Sequence, residues 1–505
     1  MHRKVSQVLP KNNRQKSMSR AKATIDPKAV LSMMAAGLWC VLLATGCSSS
    51  NPPTDDKRED TGNTKPNIIY IMADDLGYGD LGCYGQKKIK TPNLDKMASG
   101  GLMFTQHYAG STVCMPSRAS LMTGKHQGHC TVRGNPRWTS TGKPVDLSAA
   151  DVTVAEVLKQ AGYTTGIIGK WGLAEAGLES MPLNQGFDYF FGYRKHGKAH
   201  HYYPDSLWEN NRQFALTGNN TPKKQGAYSH DLMAAKSLEF IENNRHKPFF
   251  LYLNFTIPHY ELTVPEEAKR PYQNLSWEKR PLKSGHYYHD EEGHTTYAGM
   301  VSRMDKDVGL LQEWLKELGI DKHTLVIFTS DNGHEFDREF FNSNGPFRGK
   351  KRDLYEGGIR VPFIAYWPDR IKPGSKTDHI AAFWDFLPTA CDIAEVKPPD
   401  AVDGISYLPV LTGETHRQKQ HPYLYWEFNE RQGPIQAIRK GEWKAVKFFD
   451  KNMELYNLVD DIAEEHDLAA EKPEIVREIT SIMEQARDPH AAFPLVPHKR
   501  ILRKK

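Results

Sequence analysis

Two hydrophobic periods alternate along most of the chain. Short continuous apolar runs at Asn67 to Ala73, Thr164 to Ile168, Pro248 to Phe255 and Thr324 to Thr329 have the length and the β-branched or aromatic content of strands buried on both faces. Helical periodicity separates them. Thr153-Val-Ala-Glu156 is a capping box opening one helix that Gly162 closes, Ser229 to Asn244 forms a second, and Thr295 to Leu318, stopped by Gly319, a third. The alternation predicts an α/β fold: a large, mostly parallel sheet sandwiched by helices, with ligands gathering beyond the carboxyl ends of the strands.

From about Tyr423 the pattern changes. Ile435 to Arg439, Trp443 to Phe449 and Glu454 to Leu458 read as short strands, and a helix follows near Pro473 to Ala486. They predict a smaller antiparallel sheet with one helix. The expected division is a main domain over 66–415 and an α+β subdomain over 416–505. Ser206 to Gly226 and Thr263 to His294 show neither period and are rich in aromatic and polar residues, so they are expected as long loops carrying ligand contacts.

The first 50 residues differ in kind. A basic stretch leads into the apolar run Ala29 to Ala44, and Ala44-Thr45-Gly46-Cys47 resembles a bacterial lipobox. The expectation is a signal peptide over 1–46, lipidation of Cys47, a solvated tether over 47–65, and an exported protein anchored to a membrane on the periplasmic side or at the cell surface. Losing that leader removes eight Lys/Arg and one Asp, which turns the formal net charge from +5 to −2. The basic balance therefore belongs to the leader and gives no support to nucleic-acid binding. Of six cysteines, Cys83, Cys114, Cys130 and Cys391 lie beyond Cys47 without Cys-x-x-Cys spacing, so no zinc or thioredoxin-like site is signalled and any disulfide pairing stays open.

The strand ends carry the candidate chemistry. Asp74, Asp75, Lys170, His259, Asp331 and Asn332 each fall at or just after the end of an expected strand. Asp74-Asp75 alone reads as a turn or cap, and Asp331-Asn332-Gly333 alone as a tight turn. Brought to one sheet edge, three carboxylates and an amide oxygen make a hard-oxygen set suited to Ca²⁺ or Mg²⁺, without which the acids would repel one another. Lys170, His259 and Lys351 add donors there. In Cys114-Met-Pro-Ser-Arg118, Pro116 suits a first helical turn, which puts Cys114 at the N-terminus and Arg118 one turn along on the same side, a place for an anion. Packing beside a solvated arginine is the alternative for this stretch by itself.

Taken in order, Asn67 to Asp80, Thr91-Pro-Asn-Leu-Asp95, Cys114 to Arg118 with Leu121-Met-Thr-Gly124, Gly169-Lys-Trp171, Pro258-His259, Asp331-Asn-Gly333 and Gly349 to Pro362 resemble the type I sulfatases of the alkaline-phosphatase-like superfamily. The resemblance covers roughly residues 66 to 470. It implies hydrolysis of sulfate esters, with Cys114 converted to formylglycine by a maturation enzyme and its hydrate acting as nucleophile. It further implies Asp74, Asp75, Asp331, Asn332 and the converted Cys114 as ligands of Ca²⁺, with Mg²⁺ as a substitute. Arg118 would orient the nucleophile, Lys170 and Lys351 would bind sulfate oxygens, and His259 would protonate the leaving oxygen. Lys351 is chosen over Lys350 because it lies four residues before Tyr355.

The pattern departs from the family at Gly172, where a histidine is usual; His126, His196 and His200 are the candidates to replace it. Lys125 also stands where arginine is common. The substrate implied is a sulfated glycan, preferably a galactose or N-acetylgalactosamine sulfate, with His200 and His201 in Ala199-His-His-Tyr-Tyr-Pro204 as its readers. Two other readings compete: a phosphatase or phosphodiesterase of the same superfamily, and a catalytically inactive glycan-binding lipoprotein.

Overall fold

The structure is a computed structural model that describes residues 65–497 apart from 284, 431 and 432. The leader, Cys47 and all of the tether but Lys65 lie outside the described residues. A ten-stranded sheet runs in the order Ser375–Thr377, Leu102–Phe104, Phe363–Tyr366, Thr324–Ser330, Asn67–Ala73, Phe249–Asn254, Thr164–Lys170, Tyr189–Tyr193, Ser206–Glu209, Arg212–Ala215. The five strands from Thr324–Ser330 to Tyr189–Tyr193 are mutually parallel, while Phe363–Tyr366 and Ser206–Glu209 join their two sides antiparallel.

Asn67–Ala73 shows why the central strands read as unbroken apolar runs. Ile68, Tyr70 and Met72 enter one core with Leu121, Val154, Leu158 and Leu387, from the helices Cys114–Thr123, Val154–Gln160 and Phe386–Ile393. Ile69, Ile71 and Ala73 point the other way, to Met97, Met233, Phe240 and Met304 on Pro92–Ser99, Ser229–Asn244 and His294–Glu317. Side chains alternate across a strand, so a strand covered on both faces has no polar side. The capping box at Thr153 forms as expected: its hydroxyl accepts from Glu156 N–H at 3.2 Å, and Glu156 accepts from Thr153 N–H at 2.8 Å.

The C-terminal sheet has four antiparallel strands, Leu424–Glu430, Gly433–Lys440, Trp443–Phe448 and Met453–Asn457. Trp426, Phe428 and Ile435 pack on Tyr108, Val113 and Trp384, and Tyr425, Ile438 and Leu455 pack on Ile479 and Met483 of the helix Pro473–Gln485.

Two expectations need correction. Ser206 to Gly226 is not a loop throughout, since Ser206–Glu209 and Arg212–Ala215 form a hairpin that extends the main sheet; its four-residue strands are too short to show a period. Leu424–Glu430 adds a strand not anticipated. The main sheet has the expected parallel centre, and its margins add antiparallel pairs on strands of three or four residues that leave little sequence signal.

Candidate active site

The carboxyl ends of the parallel strands converge. Asp74 and Asp75 follow Asn67–Ala73, Asp331 and Asn332 follow Thr324–Ser330, Lys170 ends its strand, and His259 lies a few residues beyond Phe249–Asn254. All six are buried. Asp75 adopts a left-handed conformation with φ 66°, and its N–H donates to Asp331 Oδ1 at 3.1 Å, which stitches the two strand ends together.

Cys114 is the first residue of the helix Cys114–Thr123 and is 0% exposed. Its thiol donates to Asp74 Oδ1 at 3.1 Å and lies 3.8 Å from Asp75 Oδ1. One turn on, Arg118 donates to Asp331 Oδ2 at 2.8 Å and to the Lys170 carbonyl at 2.9 Å. Spacing of four residues brings both side chains to one side of the helix. Lys170 Nζ donates to Asp74 Oδ2 at 2.6 Å. Lys351 Nζ does the same to Asp75 Oδ2 at 2.6 Å, and His259 Nε2 is 3.4 Å from that oxygen. Asn332 donates its amide to Asp75 Oδ1 at 2.8 Å.

Three carboxylates therefore face three permanent cations in a buried space. Burial pushes the Asp331 carboxyl up to about 7, with the nearby Asp74 charge adding to it against Arg118. Burial likewise lifts Asp75, to about 6, in spite of Lys351. Burial would raise Asp74 too, but Lys170, Arg118 and Lys351 outweigh it and hold it well below the carboxylate range. Burial and then the Asp331 and Asp74 charges keep the Cys114 thiol protonated, far from the thiolate a cysteine nucleophile needs. A dry, neutral thiol here is inert as it stands.

The donor set fits a hard divalent cation. Asp74, Asp75 and Asp331 offer carboxylate oxygens, and Asn332 Oδ1 is buried without a hydrogen-bond partner. Asp74, Asp75, Cys114 and His259 also bring ligand atoms within 4.8 Å of one another. A second group, His126, His129 and Asp403, is less suited to metal because Gly128 N–H already donates to His126 Nδ1 at 3.1 Å.

Of the two expected sugar-reading histidines, His200 is buried and stacks on His259 with ring centroids 4.3 Å apart and planes at 16°. His201 lies further out, 3.5 Å from Glu261 and near Tyr288. Of the three candidates to fill in for the absent side chain at 172, only His196 is among the atoms nearest that position. His126 is held by Asp403, through its own backbone N–H at 2.9 Å. Glu335 was not foreseen: it pairs with Lys351 at 3.1 Å and with Arg352, from a polar turn that carries no periodic signal. Cys83, Cys114, Cys130 and Cys391 are all free thiols.

Comparison with known proteins accords with this geometry. The Sulfatase family model matches residues 66–396, and the model for the C-terminal part of N-sulphoglucosamine sulphohydrolase matches 347–488. Human arylsulfatase A is 34% identical over 409 residues, 76% of this chain and 75% of that protein. The N-acetylgalactosamine-6-O-sulfatase of Bacteroides thetaiotaomicron is 28% identical and covers 88% of this chain and 97% of its own length. The crystal structure of Ps i-CgsB in complex with k-i-k-neocarrahexaose superposes with a TM-score of 0.73 at 27% identity, covering 87% of this chain and 96% of that one. The chain belongs to the sulfatase family and is a sulfuric ester hydrolase.

Proposed function

We propose that this enzyme is exported and removes sulfate from carbohydrates met outside the cytoplasm, with galactose or N-acetylgalactosamine sulfates as the preferred units, after Cys114 has been converted to formylglycine. The observation that carries the reading is the position of Cys114: a buried helix N-terminus, 3.1 Å from Asp74, among three carboxylates and the cations Arg118, Lys170 and Lys351. The converted residue supplies a geminal diol as nucleophile, and a divalent cation, Ca²⁺ by preference, supplies Lewis acidity.

The chain's own residues do the rest. Asp74, Asp75, Asp331 and Asn332 would hold the cation. Lys170 and Lys351, paired with Asp74 and Asp75, would turn part of their charge to sulfate oxygens with a cation bound to those carboxylates. Arg118 fixes the helix that carries residue 114 through its bonds to Asp331 and to the Lys170 carbonyl. His259, kept neutral by burial and by Lys351, donates an N–H hydrogen bond to the leaving oxygen and so stabilises its developing charge, and the proton that completes the alcohol is the one the attacking diol hydroxyl gives up. His200 presents an unpartnered Nε2 beside it for a sugar hydroxyl, and His201 stands on the outer part of the same wall.

The carbohydrate assignment is supported by the relatives named for N-acetylgalactosamine sulfates and by the oligosaccharide in the Ps i-CgsB complex. Export through Cys47 and attachment to a membrane rest on the lipobox alone. The test is sulfate release from sulfated galactose and N-acetylgalactosamine oligosaccharides, with phosphate esters alongside. Wild-type protein is expected to release sulfate, and Cys114→Ala to lose at least about 10⁴-fold in kcat. Turnover of phosphate esters in preference to sulfate esters would favour the phosphatase reading, and release of neither would favour the binding-protein reading.

A further inference from the structure

His196 has no part in the chemistry above, yet it is only 9% exposed and its Nδ1 is buried without a hydrogen-bond partner. The space around that nitrogen exists because of Gly172. This glycine has φ +72°, and a Cβ added to it would lie 3.6 Å from Lys170 Cε and 3.8 Å from His196 Nδ1. His196 Nδ1 and the stem of Lys170 thus both border the place where a side chain at 172 would stand.

The surrounding backbone holds this arrangement. Trp171 N–H donates to the Tyr193 carbonyl at 2.9 Å, Gly172 N–H donates to the Arg194 carbonyl at 3.2 Å, and the backbone N–H of His196 donates to Glu175. The ring of His196 stands edge-on to His200 at 5.1 Å, and His200 stacks on His259. Burial and the Lys170 charge hold the ring in its neutral form, so Nδ1 is free to carry the proton. A buried ring nitrogen without a partner, bordering the Lys170 side of a site that must bind sulfate oxygens, calls for an acceptor.

We propose that His196 is a sulfate-binding residue, its Nδ1–H donating to a sulfate oxygen on the Lys170 side of the nucleophile. This rests on the sulfatase reading. The probe is inorganic sulfate, titrated by calorimetry into the Ca²⁺-loaded protein, with kcat and KM on a sulfate ester measured in parallel. His196→Ala is expected to weaken sulfate binding about ten- to a hundredfold, the range of a hydrogen bond to a charged group. His196→Asn, whose amide N–H overlays Nδ1, is expected to stay within about threefold of wild type, whereas His196→Gln, whose amide falls where Nε2 was, is expected to bind as weakly as His196→Ala. Unchanged binding in His196→Ala overturns the proposal. Should that variant fail to fold, equal affinities in the Asn and Gln variants overturn it instead. Wild-type protein that neither binds sulfate nor releases it from an ester overturns the sulfatase reading, and this assignment with it; a fully active wild type with an indifferent His196→Ala overturns this assignment alone.

Discussion

Asp331 concentrates the electrostatics of the site. It accepts from Arg118 and from the Asp75 backbone, yet burial and Asp74 raise its carboxyl to about 7, because a buried charge beside a second carboxylate is costly even where three cations face three acids. A divalent cation held by these carboxylates would offset that cost. Asp331→Ala is expected to lower kcat/KM about 10³-fold, the several kcal/mol that a bound metal contributes to charge stabilisation, and chelation of wild-type protein to cause a comparable loss that Ca²⁺ reverses; activity indifferent to chelators would contradict the metal assignment. A second residue carries a prediction about stability. His107 is fully buried, stacked on Phe363 at 4.1 Å, and burial pulls its pKa from 6.5 down to about 3. The folded imidazole stays neutral while the unfolded one takes up a proton, so its contribution is complete above about pH 6.5 and is lost as pH falls toward 3. Thermal melts at about pH 7.5 and about pH 5 should show a larger drop for wild type than for His107→Phe; equal drops would refute this. The two residues also differ in how readable they were. Asp331 stands at the end of a long apolar run, where position alone marks it. His107 sits on a two-residue strand, and nothing local distinguishes a buried histidine from an exposed one.

At the scale of elements, the C-terminal sheet is joined to the main body by buried charge as well as by Trp426 and Phe428. Lys444, fully buried on Trp443–Phe448, donates to Glu356 at 2.9 Å and reaches Glu464 at 3.4 Å, while Tyr108, at 2.7 Å, and Arg360, at 3.1 Å, also donate to Glu356. Removing one member leaves buried carboxylates uncompensated, so Lys444→Met is expected to destabilise the fold by about 3–5 kcal/mol in denaturant unfolding, and a change near zero would show that the network is dispensable. The central strands and the helices Ser229–Asn244 and His294–Glu317 were legible because each is long enough to complete its period. The hairpin of Ser206–Glu209 and Arg212–Ala215 was not, because four residues hold only two alternations. Placement of the Cys114–Thr123 helix was legible from Pro116 and the four-residue spacing to Arg118; which ring lies beside Gly172 was not, because His196 reaches it through a turn 24 positions further on.

For the whole molecule, one sheet brings six strand-end residues to one site and a C-terminal sheet packs beside the start of the helix Cys114–Thr123, while the leader and the lipidation of Cys47 are a proposal. The lipidation has its own test. Cys47→Ser is expected to shift the protein from the membrane fraction of its host to the soluble exported fraction, and retention in the membrane would refute the anchor. The central claim concerns the protonated, buried thiol at Cys114, inert as it stands and placed where a nucleophile is needed. Mass spectrometry of the peptide containing residue 114, from active protein purified from its native host, tests it most directly. The expected result is formylglycine in place of cysteine. An unmodified thiol at that position in active protein would contradict the account.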